Sequence, residues 1–262
     1  MAWDPAQYSR FAAERAQPFH DLLALVERDA PIRRAVDLGC GPGELTIHAA
    51  QELDVDVMVG IDNSSQMLAD ARAHGSAKVE FVDGDIATWT SNADHDLVLA
   101  AASLQWVPDH GEVLVRWTSA LAPGGQLTVQ VPANAWMPSH VIADEVAHRP
   151  EHLEAFGADG PPPDPVARNV LEPETYAQLL FDLGFERQHV RLQVYGHVLA
   201  DSREVVEWVK GTSLTRFRSR MADEAYDRFL ADYEHALLAL IGRHSPHFFP
   251  FRRILFWARK PR

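Results

Sequence analysis

The stretch AVDLGCGPGELT, residues 35–46, runs from a short apolar segment through Asp37 into three glycines within five residues, Gly39 to Gly43. Glycine loops of this kind let a backbone approach a nucleotide. The dinucleotide fingerprint needs G-x-G-x-x-G after a strand. Gly39 and Gly41 fit it, but Glu44 stands at the third place, with Gly43 beside it. A P-loop needs Gly-Lys-Ser/Thr after its spacers, and no lysine occurs here. Glu44, at the start of the next helix, puts a carboxylate where a pyrophosphate needs bare N–H groups. The loop therefore suits an adenosyl ligand without phosphates better than a nicotinamide dinucleotide.

Further acids follow in order. Asp62, in GIDNS at 60–64, ends a second apolar run 23 residues after Gly39, where an acid suits the hydroxyls of a ribose. Asp85, in VDGDI at 82–86, is placed to take an adenine amino group, with Ile86 packing on the ring. AASLQW, 101–106, closes a fourth run, where ligands of open α/β sheets are bound. Any one of these acids alone reads more readily as an ordinary loop residue; together, in this order, they point to such a ligand.

These residues need elements to hold them. Apolar runs predict strands at 35–38, 57–61, 79–82, 97–101 and 125–131, with helical patterns at 44–52, 64–73 and 111–121 between them. Such alternation predicts a parallel sheet covered on both faces. APGGQL, 122–127, reads as a break before the fifth strand. Beyond GADGPPPDP, 157–165, a helix at 173–183 and strands at 189–196 and 251–259 are expected to complete the sheet, and 201–242 reads as inserted helices. No internal repeat is evident.

The chain has 262 residues, 47% of them apolar, enough for a large core, and carries a net charge of −13, which argues against a nucleic-acid partner. No apolar run is long enough to span a bilayer, the opening MAWDPAQYSRF lacks a signal-peptide pattern, and the single Cys40 permits no internal disulfide. A cytoplasmic protein, acting as a monomer, is expected. Charge is unevenly spread: residues 1–150 hold 9 Lys and Arg against 21 Asp and Glu, residues 203–262 hold 12 against 7. A basic tail on an acidic protein asks for an anionic partner.

The motifs VDLGCGPG, GIDNS and DGDI resemble, in this order, the first three motifs of the class I S-adenosylmethionine-dependent methyltransferases, over roughly residues 30–135. The resemblance implies a Rossmann-like fold, a seven-stranded, mostly parallel sheet whose last strand is antiparallel. Helices cover both of its faces, and a helical cap is added. It implies one domain over 1–262, with lid helices in 1–29, the cofactor-binding core in 30–135 and cap insertions at 136–170 and 201–245. By the same resemblance S-adenosyl-L-methionine is the cofactor. Gly39 and Gly41 meet its methionine portion, Asp62 its ribose, and Asp85 and Ile86 its adenine. Asp37, Asn63, Ala102 and Gln105 join that set. A nucleic-acid adenine methyltransferase would carry Asn/Asp-Pro-Pro-Tyr/Phe where ASLQW stands.

WDPAQYSRFAAER, SLQWVPDH, VQVPAN, WVKGTSL and FPFRRILFWARK, spread over nearly the whole chain, resemble the members of that family that methylate small tricarboxylates. They imply O-methylation of one carboxylate of trans-aconitate or a similar polycarboxylate, to the monomethyl ester. A carboxylic acid with a pKa of about 4 is already ionised at neutral pH, so no general base is required. The protein has to align carboxylate oxygen, methyl carbon and sulfur with reacting atoms roughly 3–3.5 Å apart, hold the other carboxylates and exclude water. Arginine forks match carboxylates bidentately. The substrate candidates are Arg216 and Arg218 (with Arg220) in LTRFRSR, Arg252 and Arg253 in PFRRIL, and Lys210, Trp208 and His197. Tyr8, Phe11, Ala12 and Arg15 share one helical face, either of an ordinary amphipathic helix or of a lid bringing Tyr8 or Arg15 to substrate or cofactor. Gln105 and Trp106 are placed to line the junction of cofactor and substrate, with packing the equal alternative for Trp106.

No metal is expected: His148 and His152, four apart, are separated by Pro150, and His244 and His247 have no further ligand. Cys40 fills a place needing a small side chain, and no G-x-S-x-G elbow carries a hydrolytic triad. Two competing readings remain, a methyltransferase of another small carboxylic acid or natural product, and a cofactor-binding protein without turnover.

Overall fold

The computed structural model describes residues 12–262, with side chains from Ala16 onward. Its sheet has seven strands in the order β3-β2-β1-β4-β5-β7-β6: β1 (Arg34–Leu38), β2 (Val57–Asp62), β3 (Val79–Asp83), β4 (His95–Ala101), β5 (Leu121–Pro132), β6 (Arg187–Leu199) and β7 (His247–Arg259). β1 to β5 pair in parallel, and β7 runs antiparallel to β5. This is the sheet that the motif order predicts. The strand order reverses between β1 and β4, a topological switch point at whose carboxyl side ligands of open sheets bind.

Three strands run longer than the sequence reading, β6 and β7 reaching beyond 189–196 and 251–259. APGGQL, 122–127, expected as a break before the fifth strand, lies within β5. Leu121 pairs with His95 and Gln126 with Leu97, so APGG is an excursion between two paired stretches, with Gly124 at φ 76. Turn residues mark a bulge as readily as a strand end.

The described residues fall into two compact units. The larger, 17–133, 169–193 and 253–262, is organised by strand periodicity, which sends alternate side chains to opposite faces. Val98 and Ala100 join one core with Val113, Leu114 and Trp117 of α4 (His110–Ser119) and Tyr176 and Leu180 of α8 (Pro173–Asp182). Leu97 and Leu99 join another with Leu22 and Leu23 of α1 (Ala12–Leu23), Ala49 and Ala50 of α2 (Glu44–Glu52), and Leu68 and Ala71 of α3 (Ser65–Ala73).

The second unit comprises 12–16, 134–168 and 194–252. Its helices are α5 (Pro138–Ala147), α6 (Pro150–Leu153), most of α7 (Pro165–Asn169), α9 (Glu204–Lys210), α10 (Thr215–Arg218) and α11 (Asp223–Ile241). Their apolar faces close on one core around Trp208, Phe217, Phe229 and Tyr233. Phe229 touches the rings of Phe217, Tyr226, Tyr233 and His152, and the Tyr233 hydroxyl donates to the Ser139 carbonyl at 3.0 Å.

Phe229 is fully buried, so Phe229→Ala is expected to lower the free energy of unfolding by about 3–5 kcal/mol, read as a drop in the urea midpoint. A loss under about 1 kcal/mol would mean that this core is able to collapse around the gap.

Candidate active site

The loops after β1, β2, β3 and β4 gather at the carboxyl side of the larger unit. Gly39 has φ 85, and a Cβ there would overlap the Ser103 side chain. Only glycine permits both the left-handed turn and this approach of the β1 and β4 ends. Ser103 closes the contact by donating its hydroxyl to the Leu38 carbonyl at 2.5 Å. Gly41, at φ 55, has no atom of the described residues within 4 Å of the place a Cβ would occupy, so these residues leave the space beside it open to a ligand.

Asp62 ties two loops together. One carboxylate oxygen accepts from the Gly41 N–H at 2.9 Å and the other from the Ser64 N–H at 2.8 Å. A carboxylate has about four acceptor positions, so capacity remains for a ligand hydroxyl. Asn63 is exposed beside it. After β3, Asp85 accepts from the Ala87 N–H at 2.9 Å, forming a local Asx turn. The carbonyls of that loop are held from α4, Ile86 by the Trp117 indole and Ala87 by Arg116, each at 3.0 Å.

The β4 exit is pinned more heavily. Ala102 takes φ 55, uncommon for a side chain with a Cβ, and donates its N–H to Gln130 O at 2.8 Å. The 3-10 turn Leu104–Trp106 follows. Gln105 is buried, its amide nitrogen donating to Ala102 O at 2.6 Å and its own carbonyl accepting from Asn169 at 2.9 Å. Trp106, by contrast, is half exposed.

Two buried acceptors here have no hydrogen-bond partner among the described residues, Asp37 Oδ1 and Gln105 Oε1. Asp37 is held by Thr46 at 2.6 Å through its other oxygen. Burial pushes its pKa up to about 7, with the charge of Asp62 adding to the shift and the Thr46 hydrogen bond opposing it. A buried carboxylate with one free oxygen invites a cationic group. Burial also raises the Cys40 thiol well above its ordinary range, which leaves it inert as a nucleophile.

The expected substrate residues divide. Arg216, read as a substrate arginine, is 7% exposed, donates to Asp144 at 2.7 Å and lies 4.0 Å from Asp164, which His140 holds at 2.8 Å, while its Nε and Nη1 have no hydrogen-bond partner among the described residues. A buried guanidinium needs such counter-charges, and these are supplied from within the fold. Trp208 is likewise a core residue, 1% exposed and packed on Phe249, Phe251 and His197. Lys210 pairs with Glu207 at 2.8 Å, Arg218 with Asp223 at 2.6 Å and Arg220 with Asp159 at 3.7 Å. Arg252 lies 4.6 Å over the Trp136 ring and has no carboxylate partner among the described residues. Arg253 faces Pro132 in the β5–β7 ladder. Tyr8 lies outside the described residues, and Arg15 falls in α1 with its side chain outside them.

The discounted histidines have ordinary roles: His152 pairs with Asp232 at 2.9 Å, and His148 bonds to the Asp144 carbonyl at 2.8 Å. Among the described residues His20, His48 and Glu52 do cluster, but Glu52 is already held by Arg28 at 2.8 Å and by His48 at 3.1 Å.

Residues 35–125 match a family model described as a methyltransferase domain. The trans-aconitate 2-methyltransferase of Mycobacterium sp. (strain KMS) is 42% identical over 98% of this chain and 99% of its own length. That of Streptomyces avermitilis is 39% identical over 99% and 97%. The chain belongs to the trans-aconitate 2-methyltransferase family. Solved structures agree in fold. An S-adenosylmethionine-dependent methyltransferase from Mesorhizobium loti has a TM-score of 0.53 at 20% identity, covering 94% of this chain and 98% of that one. Haemonchus contortus phosphoethanolamine N-methyltransferase 2 has 0.54 at 19%, covering 95% and 56%. The class I methyltransferase architecture expected from the motifs is thus the one present. No helix of the described residues is long and apolar enough to cross a membrane.

Sequence reasoning missed Ser103, Thr46, Arg116, Trp117 and Asn169, which act at second hand on the motif residues and have no spacing signature of their own. Asp37 carries a pH prediction. Its raised folded-state pKa means that the fold keeps a proton the unfolded chain loses, so its stabilising contribution is complete below about pH 4 and is lost as pH rises to about 7. Relative to wild type, Asp37→Asn in the ligand-free protein should therefore gain stability between about pH 4 and pH 7, by about 1.4 kcal/mol per pH unit at most, measured by urea unfolding at each pH. A flat difference would mean that Asp37 is ionised in the fold.

Proposed function

We propose that this protein transfers the methyl group of S-adenosyl-L-methionine to one carboxylate of trans-aconitate, giving the monomethyl ester. The full-length likeness to trans-aconitate 2-methyltransferases carries this reading.

The residues at the strand ends suit the cofactor. Open space beside Gly41 admits a ligand, and the free oxygens of Asp37 and Gln105 offer buried acceptors to a cationic amino acid portion. Asp62, with Asn63, would take the ribose, Asp85 and Ile86 the adenine, and Gly39 and Ala102 would present backbone to the same ligand, with Arg15 as a further contact. When bound, S-adenosylmethionine supplies a methyl group on a cationic sulfur, an electrophile that needs no further activation.

The acceptor is a ready nucleophile, because a carboxylic acid is ionised at neutral pH. The chain therefore has no proton to remove, and its work is orientation and exclusion of water. Gln105 and Trp106 are the residues read at the reacting centre. Arg252, with its guanidinium stacked on Trp136 and no carboxylate counter-ion among the described residues, is the arginine read as holding a non-reacting carboxylate, with Arg253, Lys210, Arg218, His197 and Tyr8 as further contacts. The protein is read as cytoplasmic, monomeric and without a nucleic-acid partner.

Methyl-labelled cofactor and trans-aconitate should yield a labelled, base-labile ester. Cofactor binding without ester formation would reject trans-aconitate and favour another small carboxylic acid. Arg252→Ala should raise KM for trans-aconitate by roughly 10- to 100-fold, the worth of one hydrogen bond to a charged group, with cofactor affinity within about twofold of wild type. An unchanged KM would remove Arg252 from the site. Asp62→Ala should weaken cofactor binding at least about tenfold by calorimetry, since the ligand acceptor and both loop tethers are lost together.

A further inference from the structure

His110 closes the stretch SLQWVPDH, but nothing in the reaction as described uses it. It is 2% exposed and opens α4. Its Nε2 lies 2.9 Å from the Leu104 carbonyl oxygen and its Nδ1 2.6 Å from the Tyr176 hydroxyl. The Tyr176 oxygen in turn lies 3.3 Å from the Leu171 N–H. One proton arrangement satisfies these contacts with a neutral ring. A carbonyl only accepts, so Nε2 carries hydrogen and donates to Leu104. The Leu171 N–H only donates, so the Tyr176 oxygen accepts it and is free to direct its own hydrogen at Nδ1. The ring is a neutral imidazole with every polar atom satisfied. Burial lowers its pKa in the same sense, opposed by the Leu104 and Val107 carbonyls and the Asp109 charge. Tyr176 is held in its turn by stacking on Phe256 with ring centroids 4.7 Å apart.

What this relay grips is the turn Leu104–Trp106. The turn is tied to three other elements: Ser103, at its start, donates to Leu38 O of β1, Leu104 O is bound by His110 of α4 and Gln105 O by Asn169 of α7. We propose that His110 and Tyr176 are positioning residues for methyl transfer, acting through the Leu104 carbonyl to fix the turn that presents Gln105 and Trp106. This rests on the methyl-transfer reading above. In a reaction catalysed by alignment, a displacement of about 1 Å costs on the order of 100-fold, so the residue that holds the turn controls kcat while leaving the cofactor's own contacts in place.

The test compares His110→Gln, whose amide nitrogen reaches the place of Nε2, with His110→Asn, whose amide nitrogen falls near the place of Nδ1, and with Tyr176→Phe. Turnover with S-adenosylmethionine and trans-aconitate is measured, with the calorimetric Kd for S-adenosylhomocysteine. His110→Asn should lose about tenfold or more in kcat with that Kd within about threefold. His110→Gln should recover to within about threefold of wild type, and Tyr176→Phe should fall between them. Hydrogen exchange of the Trp106 and Val107 amides, which donate to Ser103 O and Leu104 O at 3.1 and 3.0 Å, should speed up in the same order. Equal behaviour of the Gln and Asn variants, unchanged kcat in both His110→Asn and Tyr176→Phe, or a kcat loss matched by the loss in cofactor Kd would overturn the proposal. A wild type that makes no ester from trans-aconitate fails the substrate reading alone. Exchange in the variants then still decides, and protection unchanged from wild type would sink the positioning role.

Discussion

The site hangs on one close approach, that of Gly39 to Ser103. The glycine loop and the fourth-strand turn come from strands that are neighbours in the sheet but 65 residues apart at the Leu38–Ser103 contact. They reach the same place only because no side chain stands at Gly39 and a serine hydroxyl satisfies the Leu38 carbonyl. A methyl group at Gly39 would push the β1 loop off the β4 exit, and the turn carrying Gln105 would move with it. The motif glycine is therefore a packing residue in its own right.

Much of this was legible in the sequence, and for a physical reason. Parallel strands buried on both faces are written as continuous apolar runs, so β1 to β4 stood out at nearly their true bounds. The glycine loop declares itself because close backbone approach restricts residue type to glycine, and Asp62 because an acid at the end of a second strand is the type that a ribose would ask for. The APGG segment misled because glycine and proline serve a bulge inside a strand as well as the break that ends one.

The arginines show the opposite case. Arg216, Arg218 and Arg252 are the same residue type in the same basic region, and nothing local separates them. Their fates depend on which side chains the fold brings up to them. Asp144 and Asp164 neutralise Arg216 inside a helical core, Asp223 takes Arg218, and Arg252 finds an indole face. The uneven charge of the chain pointed to anion chemistry, but it could not assign that to a residue. His110 was silent for a similar reason, since its partners are a backbone carbonyl and a tyrosine from α8.

Asp62 serves as tether to both Gly41 and Ser64, and this restricts how such a chain is able to diverge. The first and second loops share a single keystone, so neither is free to change length on its own. An inserted residue in the glycine loop would draw the Gly41 amide off the carboxylate and loosen the start of α3 at the same time. Sequence drift at this end of the sheet is forced to proceed in matched pairs of changes, while the helical second unit, with its own core, is left to vary under separate constraints.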